Sequence, residues 1–205
     1  ELGYVGSNGK RFWLTPKILS LGYAYLSTMS LAEVAQPHLA ELSAQVGESA
    51  SISVLESGDV VYIARHSVRR IMKANINVGT RFPAHATSMG RVILASMDDE
   101  ELDAWFERHP PVQLTENTIT APEELREILA QVRRDGWAMC LEELEPTLCS
   151  VAAPVHDQSG RSIAGVNVSI AGSGTQTAST LMRFLEPLLD TAQAITTDYL
   201  RVQQA

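Results

Sequence analysis

Two groups of short apolar strand segments, separated by helical segments, constrain the fold of this chain more than any other feature of its sequence. The first group predicts strands over residues 49–55, 60–64 and 71–78, and the second predicts strands over 137–144, 149–156 and 163–170. Short strands joined by turns pair in antiparallel fashion, and the helices between the groups pack on the sheet. The sequence therefore predicts an α+β fold with a mostly antiparallel sheet of about six strands, flanked by helices.

Helical segments precede, separate and follow the strands. Thr15-Pro16 predicts the start of one helix, and Ser30 predicts the start of a second, which Pro37 is expected to kink or restart. A final amphipathic helix is predicted from about Thr177, with a bend or a restart at Pro187. The remaining helices are predicted over residues 88–97, 98–108 and 122–134.

Composition and charge narrow the class of protein. Of the 205 residues, 45% are hydrophobic and 20% are charged, which is typical of a globular protein. The net charge of −8 is unfavourable for binding a polyanion such as DNA. The first 27 positions contain three basic residues, Lys10, Arg11 and Lys17, and one acidic residue, Glu1. The excess of acidic residues therefore lies in the rest of the chain. With no signal-peptide pattern and 2 cysteines, we expect a cytoplasmic protein.

The sequence gives little support to catalysis or to cofactor binding. Ser88 has His85 nearby, but no nucleophile-elbow pattern frames it, and the histidines lack metal-ligand spacing, so we expect neither a catalytic residue nor a metal or cofactor. The alternative from another functional class is a thiol-based redox sensor or reductase that uses Cys140 and Cys149.

The segment from Gly79 to Ala95 holds the strongest candidate binding site. A strand ends, a polar loop follows, and a helix is predicted to begin at Thr87-Ser88, where free backbone N–H groups and the helix dipole favour an anion. Small residues such as Gly90 allow a ligand to approach the backbone. Two interpretations stay open at this point: a carboxylate site and a capped helix without a ligand.

Several motifs resemble the IclR family of bacterial transcriptional regulators. They are Gly79–Ala95, Asp135-Gly136-Trp137, the stretch from Glu142 to Val155, and the N-terminal stretch from Gly3 to Gly22. Together they cover essentially the whole chain in the family's order. Thr80–Ala84 and Thr87–Val92 are most similar to the branch that controls protocatechuate, 4-hydroxybenzoate and β-ketoadipate catabolism.

The resemblance implies a non-enzymatic regulator with three parts. Residues 1–15 correspond to the wing hairpin that remains of an N-terminal winged helix-turn-helix domain, with Lys10 and Arg11 as DNA contacts. Residues 16–28 correspond to a linker helix, and residues 29–205 to a GAF/profilin-like effector-binding domain. The family further implies a homodimer or tetramer, a small organic acid as effector, and DNA binding through the full-length protein.

The resemblance and strand alternation also suggest which residues bind the effector. The predicted set is Thr87, Ser88, Met89, Gly90, Met139, Cys140, Glu142, Ser150, Ala152, Asn167 and Ser169. The last three follow from alternation along the strands. Cys140 stands where many members have an acidic residue, and Thr147-Leu148-Cys149 stands where they have Gly-Leu-Arg. Both departures fall on predicted pocket strands and leave the identity of the effector open.

Overall fold

The computed structural model describes residues 3–20, 30–68 and 76–203. Its strands are β1 (Val5–Ser7), β2 (Phe12–Leu14), β3 (Ser49–Glu56), β4 (Asp59–His66), β5 (Arg81–Pro83), β6 (Ala138–Leu141), β7 (Leu148–His156) and β8 (Ser162–Ala171). Its helices are α1 (Ser30–Val46), α2 (Ser88–Leu94), α3 (Asp99–Arg108), α4 (Pro122–Asp135), α5 (Gly174–Arg183) and α6 (Leu185–Gln203), and a 3-10 turn spans Ala84–Ala86.

Six of these strands form one sheet in the order β5-β4-β3-β8-β7-β6, with every neighbouring pair antiparallel. The two strand groups of the sequence meet at the β3–β8 pair, where Ser51 lies opposite Asn167. The predicted turn between β3 and β4 is confirmed, and Ser57 adopts a φ of 57° within it. The α+β class and the six-stranded antiparallel sheet are thereby confirmed.

Helices cover both faces of this sheet, because side chains alternate between the faces along each strand. On one face, Leu39 of α1 and Ile195 of α6 are fully buried against strand residues such as Val166. On the other face, α2, α3 and α4 pack through Val92, Trp105, Leu129 and their neighbours. The candidate site lies on this second face, beside the start of α2.

One predicted strand differs in the structure. Residues 71–75 of the strand predicted over 71–78 lie outside the described residues, and residues 76–78 form a loop that leads into a turn at Gly79, with a φ of 87°. The edge strand β5 follows the turn and pairs with β4, so that Val60 lies opposite Phe82. The prediction is therefore wrong for residues 76–78, because an edge strand is fixed by its pairing partner, and the segment that pairs with β4 is β5.

The helix predictions differ mainly at their ends. Pro37 lies inside α1, which continues through it, and the helix that begins at Ser88 ends at Leu94. The C-terminal helix breaks at Phe184, so that Pro187 falls in the first turn of α6, where its missing N–H costs no hydrogen bond. Residues 18–20 are helical, whereas residues 21–28 of the predicted linker helix lie outside the described residues.

Candidate functional site

The start of α2 presents two unbonded backbone amides. Thr87 has an extended backbone, with φ −126° and ψ 143°, and its Oγ1 accepts a hydrogen bond from the Gly90 amide at 3.1 Å. Among the described residues, no hydrogen-bond acceptor is found for the N–H groups of Ser88 and Met89. Amides in the first turn of a helix favour an anionic partner.

Two glycines allow α2 to lie this close to the sheet and to the preceding turn. A Cβ on Gly165 of β8 would come within 2.9 Å of Met89 Cα, and a Cβ on Gly90 would come within 2.1 Å of the Ala84 carbonyl oxygen. Both distances are too short for a side chain. The glycine at 90 therefore serves the packing of the 3-10 turn on α2, whereas the sequence analysis had given it a role in ligand approach.

A small cavity of about 20 Å³ lies beside the start of α2. Its lining combines strand side chains with residues of the 3-10 turn, of the N-terminal cap of α2 and of the neighbouring loops. The lining residues are Tyr62, Ile76, Ala86, Thr87, Cys140, Leu144, Leu148, Ser150, Asn167 and Ser169. A water molecule needs roughly 10–15 Å³ of such space, so the cavity in this state holds about one water.

Five of the predicted effector-binding residues line this cavity, namely Thr87, Cys140, Ser150, Asn167 and Ser169. Ser88 adjoins it, because its Oγ lies 2.7 Å from Ser150 Oγ. This hydroxyl pair joins α2 to β7 across the sheet face. The strand register thus brings together residues that lie far apart in the sequence.

The side chains of the other predicted residues lie outside this cavity. Met89 is fully buried beneath α2, where its Sδ accepts a hydrogen bond from Ser53 Oγ at 3.2 Å. Met139 packs on the opposite face of the sheet, and Ala152 belongs to the apolar core under the helices. Glu142 turns back into its own loop and accepts a hydrogen bond from the Thr147 amide at 3.1 Å. Of these, Met139 could not share a face with the adjacent Cys140 in one strand.

Five further residues that line the cavity were not predicted from the sequence, namely Tyr62, Ile76, Ala86, Leu144 and Leu148. Tyr62 lies on β4, and burial raises its pKa to about 12, partly offset by the charge of Arg65. Alternation along β4 places Tyr62 on the opposite face from Ile63, and that signal was available in the sequence. Ile76 and Leu144, which lie in loops, carry no comparable periodic signal.

A buried ion pair fixes α2 to the β6–β7 connection. Arg91 and Glu143 are 2% and 5% exposed, and Arg91 Nη2 lies 2.5 Å from Glu143 Oε2. Arg91 Nε also donates to the His85 carbonyl oxygen at 3.0 Å, and Thr118 Oγ1 donates to the Glu143 carbonyl oxygen at 2.7 Å. This pair was not predicted from the sequence, because its two residues lie 52 positions apart in the chain.

The two cysteines are poorly arranged for redox chemistry. Cys140 lies opposite Ser150 and Cys149 lies opposite Leu141, so the two thiols point to opposite faces of the sheet. Both are free and buried, and burial raises the pKa of Cys140 to about 12. The thiol-based alternative required a reactive pair, and this geometry contradicts it.

The N-terminal hairpin pairs β1 with β2, and Val5 lies opposite Leu14. Asn8 Oδ1 accepts hydrogen bonds from the amides of Lys10 at 3.1 Å and Arg11 at 2.9 Å, which shapes the turn. Both basic side chains are exposed at the hairpin tip.

A larger depression of about 430 Å³ lies between the end of α2, α4, α6 and the β7–β8 turn. It contains none of the predicted effector-binding residues. Arg133, its one guanidinium, already donates to the carbonyl oxygens of Ala95 at 2.7 Å and Met97 at 2.6 Å. The smaller cavity is therefore the better candidate for an effector site, because it alone adjoins the unbonded amides.

Across residues 3–20, 30–68 and 76–203, no three His, Cys, Asp or Glu side chains come together in a way that suits a metal ion. In the same ranges, none of the helices combines the length and the apolar character that a membrane span requires.

Comparison with known proteins shows which family the chain belongs to. The chain is 42% identical to the Pca regulon regulatory protein of Pseudomonas putida over 92% of its own length and 65% of that protein, so it spans about two thirds of this relative. It resembles the crystal structure of a transcriptional regulator from Rhodococcus sp. RHA1, with a TM-score of 0.86, 48% identity, and coverage of 98% of this chain and 80% of that one.

A further solved structure contains an aromatic acid. It is the inducer-binding domain of PobR from Acinetobacter, a double mutant in complex with 3-hydroxybenzoic acid, with a TM-score of 0.74, 32% identity, and coverage of 80% of this chain and 97% of that one. The family model for the bacterial transcriptional regulator IclR C-terminal region matches residues 23–197. The chain therefore belongs to the IclR family of bacterial transcriptional regulators.

Proposed function

We propose that this chain is the effector-sensing part of a regulator that binds a small aromatic acid and thereby controls genes of aromatic-compound catabolism. The observation that carries the proposal is the cavity beside α2, because the side chains of Thr87, Cys140, Ser150, Asn167 and Ser169 come from distant segments and converge on it. The names of the relatives support the aromatic class of effector. The unbonded amides of α2 would hold the carboxylate.

The cavity must enlarge to admit such an acid. At about 20 Å³ it does not accommodate an aromatic ring. The Ser88–Ser150 hydroxyl pair closes it next to the amides, so a ligand would have to displace this 2.7 Å contact. A ligand that binds only the enlarged form shifts the population toward that form, which is the physical basis of a switch.

The remaining parts of the proposal concern the full-length protein. Residues 1–15, which include the β1–β2 hairpin, would contact DNA through Lys10 and Arg11 beside an upstream recognition helix. Residues 16–28 would link it to the effector domain at 29–205. We expect a cytoplasmic homodimer or tetramer that senses its ligand and does not catalyse a reaction.

Thermal unfolding with a panel of acids tests the proposal. We expect protocatechuate, 4-hydroxybenzoate or 3-hydroxybenzoate, at about 100 times its Kd, to stabilise the protein by about 2.7 kcal/mol. For a chain of this size, that raises Tm by roughly 5–10 °C. Differential scanning fluorimetry measures the shift directly.

Two substitutions of the same kind control this experiment. Ser150→Leu fills the cavity and is expected to abolish the Tm shift, whereas Ser179→Leu on the exposed side of α5 is expected to preserve it. An unchanged Tm of the wild-type protein with every acid, at saturating concentrations, would contradict the proposed function.

A further inference from the structure

The segment Leu144–Thr147, between β6 and β7, contributes to the wall of the cavity without being part of the sheet. Leu144 is half-buried and lines the cavity, and the three residues that follow it are exposed. Most of the other lining residues belong to paired strands, such as Ser150 of β7, which lies opposite Cys140 on one side and Ser169 on the other. Paired strands cannot separate without losing the hydrogen bonds between them. The cavity can therefore enlarge at Leu144 while the sheet stays intact.

The backbone of this segment is strained at its C-terminal end. Among the described residues, the positions other than glycine that have a positive φ are Ser57, Glu142 and Thr147, and the last two lie in the β6–β7 connection. Thr147 has a φ of 64°, and a β-branched side chain is rarely found in this left-handed region. Such a residue keeps its conformation only where the surrounding structure holds it there, against an unfavourable backbone energy.

Hydrogen bonds hold Thr147 in this conformation. Its amide donates to Glu142 Oε2 at 3.1 Å, and its carbonyl oxygen accepts from the Gly172 amide at 2.8 Å. Before the segment begins, Glu143 is fixed by its buried ion pair with Arg91. The segment can therefore move while the buried pair stays intact, once the Thr147 amide has left the Glu142 carboxylate.

We propose that Thr147 is a positioning residue that sets the affinity for the effector, because its backbone strain is released when Leu144 moves away from the cavity. This inference rests on the proposed function and names how access to that site is regulated. The apparent affinity of a ligand falls with the fraction of protein in the binding-competent form. Strain at Thr147 raises the fraction of protein with an open cavity, and the hydrogen bond to Glu142 lowers it. Thr147 thereby influences binding without contacting the ligand.

Paired substitutions to asparagine test the role of Thr147. Asparagine tolerates the left-handed region, so Thr147→Asn relieves strain beside the cavity and Ser57→Asn relieves it in the β3–β4 turn. Both variants should raise the Tm of the free protein by about 1–4 °C. In isothermal titration calorimetry with 3-hydroxybenzoate, 4-hydroxybenzoate and protocatechuate, Thr147→Asn should weaken binding by about 3- to 10-fold. Ser57→Asn is the matched control and should leave the Kd unchanged.

The hydrogen bond between Thr147 and Glu142 is tested separately. Glu142→Ala and Glu142→Gln remove the same charge, but only glutamine keeps an acceptor for the Thr147 amide. Glu142→Ala should therefore bind the acids about 2- to 10-fold more tightly than Glu142→Gln does. Equal affinities of the two variants would show that this hydrogen bond does not hold the cavity closed.

Labelling of Cys140 reports the movement in the absence of a ligand. This thiol is buried and lines the cavity together with Leu144, so it becomes accessible when the segment opens. Peptide mass spectrometry after treatment of the native protein with a thiol reagent measures the rate at this site. Thr147→Asn should slow the labelling of Cys140 by about 3- to 10-fold, because it stabilises the closed form, and Ser57→Asn should not.

The outcomes separate the inference from the proposed function. If Thr147→Asn leaves the Kd or the labelling rate at the wild-type value, or if Ser57→Asn changes them as much, Thr147 does not control access to the cavity, although binding of the acids still supports the proposed function. If none of the acids binds the wild type, the proposed function fails, and the labelling rate of Cys140 alone decides whether Thr147 controls the opening.

Discussion

Gly90 shows how a single residue decides where a helix can lie. Its Cα faces the Ala84 backbone so closely that a Cβ would come 2.1 Å from the carbonyl oxygen and 2.5 Å from Ala84 Cα. Backbone atoms cannot rotate away from such a contact as a side chain can. The start of α2, and with it the candidate site, therefore depends on the absence of a side chain at this position.

We predict that Gly90→Ala destabilises the protein by about 2–3 kcal/mol, because α2 or the 3-10 turn must move. Urea unfolding monitored by circular dichroism measures the loss. Gly58→Ala is the control: its Cβ would come 2.7 Å from His109 Cδ2, a side-chain atom that can move, and the expected loss is below about 1 kcal/mol. Equal losses in the two variants would contradict the packing role of Gly90.

The buried thiols lead to a second prediction for single residues. Burial raises the pKa of Cys140 from 9.0 to about 12, so its reactive thiolate is about 1,000-fold rarer than in an exposed cysteine. We expect both cysteines of the native protein to react with a chromogenic disulfide reagent at least about 100-fold more slowly than in denaturant. Fast labelling, or a reversible intramolecular disulfide after peroxide treatment, would restore the redox alternative.

Between secondary structure elements, the Arg91–Glu143 pair joins α2 to the connection between β6 and β7. The pair also reaches the segment before α4, because the Ile119 amide donates to Glu143 Oε2 at 3.3 Å. Removing one partner of a buried ion pair lowers the free energy of unfolding strongly, because the other charge stays buried alone. The intact pair adds little stability compared with two apolar side chains of similar volume. The pair therefore fixes how these elements are placed more than it increases overall stability.

We predict that Glu143→Gln lowers the free energy of unfolding by about 3–5 kcal/mol, because the Arg91 guanidinium stays buried without a counter-charge. Arg201→Gln, which removes the exposed Arg201–Asp198 pair, should cost less than about 1 kcal/mol. Chemical denaturation measures these losses. The double variant Arg91→Met/Glu143→Leu should lose less free energy of unfolding than Arg91→Met and Glu143→Leu lose when their separate losses are added. Additive losses would show that the two side chains act independently.

The burial of Tyr62 makes the stability of the whole molecule depend on pH in the alkaline range. Burial raises its pKa from 10.0 to about 12, with an opposing effect of Arg65. Above pH 10 the unfolded chain releases the Tyr62 proton while the native protein retains it. The native state therefore loses stability as the pH rises through this range, by up to about 1.4 kcal/mol per pH unit.

We predict that Tyr62→Phe weakens this alkaline loss. Urea unfolding at pH 8, 9.5 and 11 measures the free energy of unfolding. As the pH rises, this free energy should fall less for Tyr62→Phe than for the wild type, and the two proteins should differ only at the two higher pH values. Tyr199→Phe, on α6 and remote from the cavity, is the control and should follow the wild type. Parallel pH profiles for Tyr62→Phe and the wild type would contradict the inferred burial of the hydroxyl.

Most of the elements could be predicted from the sequence, because their signals are local. Alternation along β3, β7 and β8 and the Thr87 cap at the start of α2 depend on neighbouring residues. The same local rules failed at residues 76–78, where a strand was expected and a loop is found, whereas the helix restart expected at Pro187 is observed close by, at Leu185.

Which residues share the cavity, and which polar atoms are left without a partner, depend on contacts between distant segments. Cys140 faces the cavity and Met139 does not, and Asn167 Oδ1 has no hydrogen-bond partner among the described residues. Register between strands more than 100 residues apart fixes these contacts, as in the pair Ser51 and Asn167. The physical reason is that hydrogen bonding in a core depends on every neighbour in space, and a linear pattern records only neighbours in the chain.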